Sequence, residues 1–236
     1  VVGLDQTAEN LVQVYWIMGR SEGSRNRVFV LENGVVRTVL ADPSKAKPGG
    51  DLSLIIYNAM METPDDPDWL KHHIVSNGRQ TDAVAELLPR NFPLEYALGE
   101  FEYEPDVPNF TTRITASTAW LPGLDGTGSV FHYISFSQLR KSPWSEESDS
   151  YNTHFNNVPA GYGYCVTTYA GDGNPLPQFT GDPLFMPLPG DIKDIAKLYW
   201  RSLNMENKVA LVVKFIPRKG EPSFHIINKH DQVPPP

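Results

Sequence analysis

Asn33-Gly34 stands between two branched apolar runs, Val28-Phe29-Val30-Leu31 and Val35-Val36-Arg37-Thr38-Val39-Leu40. An Asn-Gly pair is favoured where a two-residue connection needs positive φ at both central positions, so this stretch predicts a tight antiparallel hairpin. The same grammar recurs along the chain. Leu11 to Gly19 and Arg27 to Leu31 read as strands flanking the polar loop Arg20 to Asn26. A Pro-, Lys- and Gly-rich loop from Asp42 to Gly50 leads to the apolar run Leu52 to Asn58, and His73 to Ser76 is a short strand. Thr111 to Trp120 and Ser129 to Leu139 are β-rich, with Gly123 to Gly128 turning between them, and Tyr162 to Tyr169 is another strand. Lys208 to Ile216 and Ser223 to Ile227 form a last hairpin about Lys219-Gly220.

Helices are fewer. Thr81-Asp82 is suited to cap a helix over Ala83 to Leu88, and a second begins near Pro93 and runs to about Phe101. Asp191 caps a third, with Ile192, Ile195, Leu198 and Tyr199 at helical spacing. Residues 141–160, polar and carrying Pro143 and Pro159, are expected to form a long connection or lid, and Val233 to Pro236 to fray. Strands linked mainly by hairpins, with three helices to cover them, predict an α+β fold built on largely antiparallel sheets. A chain of 236 residues with 40% hydrophobic content buries enough surface to form one domain over 1–236.

Composition narrows the function classes. There is no apolar run of the length needed to span a bilayer and no signal-peptide pattern at the start, so a soluble cytoplasmic protein without a membrane partner is expected. The single cysteine, Cys165, excludes an internal disulfide framework and a multi-cysteine zinc cluster, and reads as a buried strand residue. A formal charge of −8 argues against a broad nucleic-acid surface, which needs clustered Lys and Arg over a large face. A small anion needs only a few converging cations and amides. A homo-oligomer is left open by these bounds.

Four patches could carry chemistry. The loop Gly19-Arg20-Ser21-Glu22-Gly23-Ser24-Arg25-Asn26-Arg27 sets three arginines among glycines and hydroxyls, and reads either as a phosphate clamp or as a solvated turn. Tyr57-Asn58 ends an apolar run, where a locally satisfied tyrosine is the plain alternative. Val75-Ser76-Asn77-Gly78-Arg79-Gln80-Thr81-Asp82 joins a glycine turn to helix amides, an arrangement that suits anions or merely caps a helix. Tyr103-Glu104-Pro105-Asp106, leading to Arg113, offers two carboxylates and an arginine that can tune their pKa, or else ordinary surface acids. The six histidines show no metal-ligand spacing, and no phosphate-binding or dinucleotide-binding glycine fingerprint is present.

In this order and spacing the four patches resemble the archaeal-type IMP cyclohydrolase family. The resemblance is clearest over residues 15–116, where Ser76-Asn77-Gly78 followed by Thr81-Asp82 is its most specific piece, with a weaker echo in Thr167-Thr168-Tyr169. It implies a four-layer αββα sandwich similar to N-terminal-nucleophile hydrolases but without their chemistry; residue 1 is Val and the sole Cys lies at 165. It also implies dehydrative closure of 5-formamidoimidazole-4-carboxamide ribotide to inosine monophosphate, with no cofactor and no metal. On that resemblance Glu104 transfers protons, and Arg27 with Asn26 holds the carboxamide or phosphate. Arg20 binds phosphate, and Tyr57 and Asn58 donate to the reacting oxygen. Asn77, Gly78, Thr81 and Asp82 form the ribose or phosphate side, and Arg113 orients Glu104. Two other readings stay open: a purine-ribotide-binding protein without turnover, and a related amide hydrolase, for which no nucleophilic triad is visible.

Overall fold

A computed structural model describes residues 1–46, 52–66, 70–90, 92–122 and 130–232. The Asn33-Gly34 connection is the expected tight turn, with φ of 50° and 78°, and it joins β3 (Arg27–Glu32) to β4 (Val35–Leu40) with Glu32 opposite Val35. These strands open a seven-stranded sheet that continues through β5 (Asn58–Glu62), β6 (His73–Ser76), β7 (Arg113–Pro122), β8 (Val130–Lys141) and β9 (Ser148–Phe155) in sequence order. The second sheet has six strands. It comprises β1 (Val2–Leu4), β2 (Asn10–Met18), β10 (Tyr162–Cys165), β11 (Leu184–Pro187), β12 (Lys208–Pro217) and β13 (Ser223–Asn228), in the order β11-β10-β1-β2-β12-β13. Every named pairing in both sheets is antiparallel, so the α+β expectation holds.

Strand β2 explains how the sheets stack. Leu11, Tyr15 and Ile17 join a core shared with Phe29, Val36, Met60, Ala116 and Phe136 of the other sheet, while the alternate residues Val12, Val14 and Trp16 pack on the opposite face. Successive strand side chains point to opposite faces, so a run apolar at nearly every position is what a strand buried on both sides requires. Against the outer face of the six-stranded sheet lies α4 (Ile192–Ser202), burying Ile195, Ala196, Tyr199 and Trp200. Its Asp191 cap accepts from Lys193 N at 2.8 Å and Asp194 N at 2.9 Å. Leu198, expected on the buried stripe, is instead exposed, because Ala196 and Trp200 complete the face that Ile195 and Tyr199 begin. On the outer face of the seven-stranded sheet, α2 (Gln80–Leu87) and α3 (Leu94–Ala97) bury Val84, Ala85, Leu94 and Ala97 against Ile74 and Leu139.

A polar stitch crosses between the sheets. Lys214 Nζ lies fully buried at 2.9 Å from Glu62 Oε1, and Gln13 Nε2 donates to the His73 carbonyl at 3.0 Å. A buried charge costs several kcal/mol unless paired, so Lys214 and Glu62 are interdependent.

Several expected boundaries move. The segment Leu52–Leu54 is a 3₁₀ turn and the strand begins only at Asn58, because Thr38 Oγ1 accepts from Tyr57 N and donates to Ile55 O, holding that approach off the regular ladder. Helix α2 starts at Gln80 rather than Ala83, and neither Thr81 nor Asp82 caps it; Thr81 Oγ1 donates back to Gly78 O at 2.8 Å. The second helix is a single turn. The polar loop from Arg20 folds one turn of helix, α1 (Glu22–Arg25), closed by the reciprocal Ser21 and Ser24 capping bonds. Within the expected lid over 141–160, Ser148–Phe155 form β9, an edge strand whose polar residues face solvent and so lack apolar alternation. Strand β10 ends at Cys165, well short of Tyr169, while β7 and β8 run on to Pro122 and Lys141. Cys165 itself is buried in the strand, as read from the sequence. The Gly123 to Gly128 turn, the end of the loop at Gly50 and the tail from Val233 lie outside the described residues. Among the described residues no helix is long and apolar enough to cross a membrane.

Candidate active site

A cleft of about 760 Å³ opens between the two sheets, a size ordinary for a small-molecule site. Its lining includes Tyr15 of β2, the Arg20 loop, Arg27 at the start of β3, Tyr57 before β5, Asn77 after β6 and Glu104 ahead of β7. Chain positions almost a hundred residues apart therefore meet in one cavity.

Arg27 is buried to 7% exposure, with Nε donating to Ser24 O at 2.8 Å and Nη2 to Met18 O at 3.1 Å. Neutral carbonyls fix the guanidinium without cancelling its charge, which leaves that charge available to an anion or a polarised oxygen. Tyr15 and Tyr57 touch hydroxyl to hydroxyl at 2.8 Å. Burial raises both phenols above their ordinary range, so both are protonated at neutral pH. One proton serves the contact between them, and the other is free to donate to a ligand oxygen.

Glu104 is buried to 6% exposure and its Oε1 accepts from Arg113 Nη1 at 3.2 Å. Burial pushes its carboxyl up to about 7, a rise increased by Asp106 and moderated by Arg113 and Arg27. Arg113 is held in turn, with Nε on Glu102 O at 2.7 Å and Nη1 shared with Gln80 Oε1 at 3.1 Å. Burial outweighs Glu104 and lowers the pKa of Arg113 as well. Asp106 accepts from Thr111 N and Thr111 Oγ1, both at 2.6 Å, and the Thr111 hydroxyl also meets that of Tyr169. Arg20 Nη1 donates across the mouth to Gly173 O at 2.8 Å.

The other sequence-derived candidates sit around this centre in different ways. Asn77 touches the cleft, but its side chain is spent: Nδ2 donates to Thr112 O, and Oδ1 accepts from Ile114 N and Gln80 Nε2. Gly78 lies behind Glu104, where an added Cβ would stand 2.6 Å from Arg113 Nη1 and from Gln80 Oε1. Thr81 is buried against Ser76 behind the same turn. Asn58 and Asp82 pair with each other at 2.7 Å away from the cleft lining. Asn26 Nδ2 donates to Asp42 O and its Oδ1 accepts from Asp42 N, both at 2.8 Å, so it braces the loop rather than facing the cleft. Tyr15 was absent from the sequence-derived set, although its alternation with Leu11 and Ile17 already assigns it to the inward face of β2. Among the described residues no cluster of three or more His, Cys, Asp or Glu is disposed to hold a metal ion.

Two antiparallel sheets enclosing arginines, paired phenols and a buried carboxyl pushed up to about 7 define an α+β protein with a cleft that carries acid/base groups. Comparison with protein families matches residues 1–220 to the IMP cyclohydrolase-like protein family. The chain belongs to that family, and it is an enzyme of the IMP cyclohydrolase type acting in purine biosynthesis. A search of curated proteins returned no match.

Proposed function

We propose that the cleft between the sheets closes the second ring of 5-formamidoimidazole-4-carboxamide ribotide, with Glu104 as the proton-transfer group. The observation that carries this reading is the buried Glu104 carboxyl, pushed up to about 7 beside Arg113 and in the field of Arg27. The carboxamide nitrogen forms a bond to the formyl carbon, and the formyl oxygen takes up the electron pair. Glu104 carries the carboxamide nitrogen's proton to that oxygen, giving a hydroxyl, and then carries the formamido N–H proton to the hydroxyl, which leaves as water while the ring C=N bond forms. A carboxyl whose pKa lies near the working pH can do both. The free proton of the Tyr15 and Tyr57 pair donates to the developing oxyanion.

Arg27 faces the carboxamide end and Arg20, at the mouth, meets the phosphate. Arg113 positions Glu104 from behind. Asn77, Gly78 and Thr81 keep that positioning group in place, and Asn26, Asn58 and Asp82 support the loop and helix that frame the cleft. The three apolar clusters, one between the sheets and one on each outer face, support a four-layer αββα arrangement akin to N-terminal-nucleophile hydrolases. They also support one domain over 1–236.

The test is conversion of the formamido ribotide to inosine monophosphate by the purified protein without folate, nucleotide or added metal, followed by purine absorbance beside an enzyme-free control. A chelator should leave the rate unchanged. Binding of the ribotide with no rate above the control would assign the cleft to ligand storage instead.

A further inference from the structure

A second cavity, of about 340 Å³, is lined by Glu22 and Arg25 of the α1 turn, whose Ser24 lines the active cleft. Arg25 of α1, Lys45, Lys208 at the start of β12, and Lys229 and His230 beyond β13 all line it, while Glu22 is the one carboxylate in its lining. Five residues with cationic or ionisable nitrogen side chains line it, from four separate parts of a chain whose net charge is −8.

Apart from Lys45, the cations are held by neutral acceptors. Lys208 is buried to 5% exposure; its Nζ donates to Trp200 O at 3.1 Å and sits 4.4 Å from the Trp200 ring centroid. Lys229 Nζ donates to the carbonyls of Met205 and Glu206 at 3.0 and 3.1 Å, and His230 Nε2 contacts Arg25 O at 2.9 Å. Among the described residues no carboxylate oxygen lies within 4.0 Å of Arg25, Lys208 or Lys229. Lys45 has Asp42 at 3.8 Å. Burial first, then the like charge of Lys229, lowers the pKa of Lys208. A like-charge cluster costs stability unless an anion completes it.

We propose that this crevice is a second ligand site, for an anion carrying two or more linked phosphate groups. Several lysines and an arginine around a small cavity match the several oxygens of a polyphosphate better than a single carboxylate. The site shares a wall with the active cleft: Arg25 Nε donates to Gly19 O at 2.9 Å and Nη2 to Asn207 Oδ1 at 3.0 Å, and both acceptors belong to residues lining that cleft. A polyphosphate drawing on Arg25 therefore competes for bonds that hold the cleft's own loop, which gives it a route to substrate affinity.

Calorimetric titration with pyrophosphate at low ionic strength tests the site. An equivalent that Arg27→Ala retains should bind, and Lys45→Glu and Lys229→Glu should each weaken it at least about tenfold. Far-ultraviolet dichroism and unfolding curves confirm that each variant is folded, and the exposed Lys45 serves if Lys229→Glu is unstable. A nucleoside triphosphate arm identifies the source: tighter binding than pyrophosphate points to a nucleotide, weaker binding to free polyphosphate. Absence of binding, or binding that Arg27→Ala abolishes while both glutamate variants keep it, overturns the proposal. Because the titration does not depend on turnover, it stands or falls separately from the ring-closure reading.

Discussion

Arg113 Nη1 lies 3.2 Å from Glu104 Oε1, yet the carboxyl is pushed up to about 7 instead of down. An arginine at that distance ordinarily favours the carboxylate, so the burial of both partners outweighs their attraction. The pair is therefore a poor source of stability and a good acid/base device, able to gain and lose a proton near neutral pH.

The pH profile of turnover follows. In the proposed mechanism closure begins with Glu104 accepting a proton, so its ionised form is the competent one and kcat/KM should rise through about pH 7. Glu104→Gln should lower kcat on the order of 10²- to 10⁴-fold, flatten that limb and leave product binding within a small factor. A wild-type profile falling through pH 7, or a variant that keeps the limb, would reverse or remove the assignment.

Stability should carry the same signature with the opposite sense. The folded-state pKa of Glu104 is raised from 4.5 to about 7, so its contribution is fully present below 4.5 and is lost as pH rises through 7. Relative to Glu104→Gln, the wild type should lose up to about 3 kcal/mol between pH 4.5 and 7. His72 and His73, whose pKa values burial lowers, act in the reverse direction as pH falls, and comparison with the variant cancels them. Denaturant unfolding of both proteins across this window checks it; a constant difference would contradict the raised pKa.

The backbone scaffold was legible in the sequence where periodicity was strong. The Asn33-Gly34 hairpin, the closing β12–β13 hairpin and the Asp191-capped helix sit where local turn and capping chemistry put them. Strand β9 was illegible because an edge strand with a polar outer face carries no apolar alternation, and β1 is too short to show any. At the site, short motifs located Arg27, Tyr57 and Glu104, which line one cleft. They could not separate a side chain facing the cleft from one facing away: Asn58 follows Tyr57 directly, and strand alternation turns it outward to Asp82.

Gly78 makes a sharp prediction from close approach alone. A methyl at this position would meet Arg113 Nη1 and Gln80 Oε1 at 2.6 Å and Glu104 Oε1 at 3.3 Å. Gly78→Ala must displace the positioning arginine or its partner, so a stability loss of about 1–3 kcal/mol is expected, together with a shift in the kcat/KM pH limb. An alanine variant with wild-type unfolding and pH profile would mean that Arg113 has room to move freely.

Cys165 predicts the reverse, a change the enzyme should tolerate. The residue is 2% exposed in the core between the six-stranded sheet and α4, and burial raises the thiol's pKa. A buried thiol of raised pKa is a poor nucleophile. Cys165→Ala should keep most activity and cost about 1 kcal/mol in the unfolding curve; loss of turnover in a folded variant would point to thiol chemistry.

The two phenols give the most discriminating test, because they are coupled through one hydrogen bond. Tyr15 and Tyr57 are 2.8 Å apart and both stay protonated, so removing either hydroxyl changes the options of the other. Burial raises both phenols and the charge of Arg27 opposes that rise in both, but only Tyr57 also gains a lowering hydrogen-bond effect from Arg27, which makes Tyr57 the better donor to a developing oxyanion. Tyr57→Phe should therefore reduce kcat on the order of 10²- to 10³-fold with little change in product binding. Tyr15→Phe removes only the partner and should cost about tenfold. If one hydroxyl acts through the other, the double variant should be hardly slower than Tyr57→Phe alone, a non-additivity that steady-state kinetics on the four proteins reads directly. Fully multiplicative losses would mean that each phenol contacts the substrate independently, and equal rates in all four would exclude the pair from the chemistry.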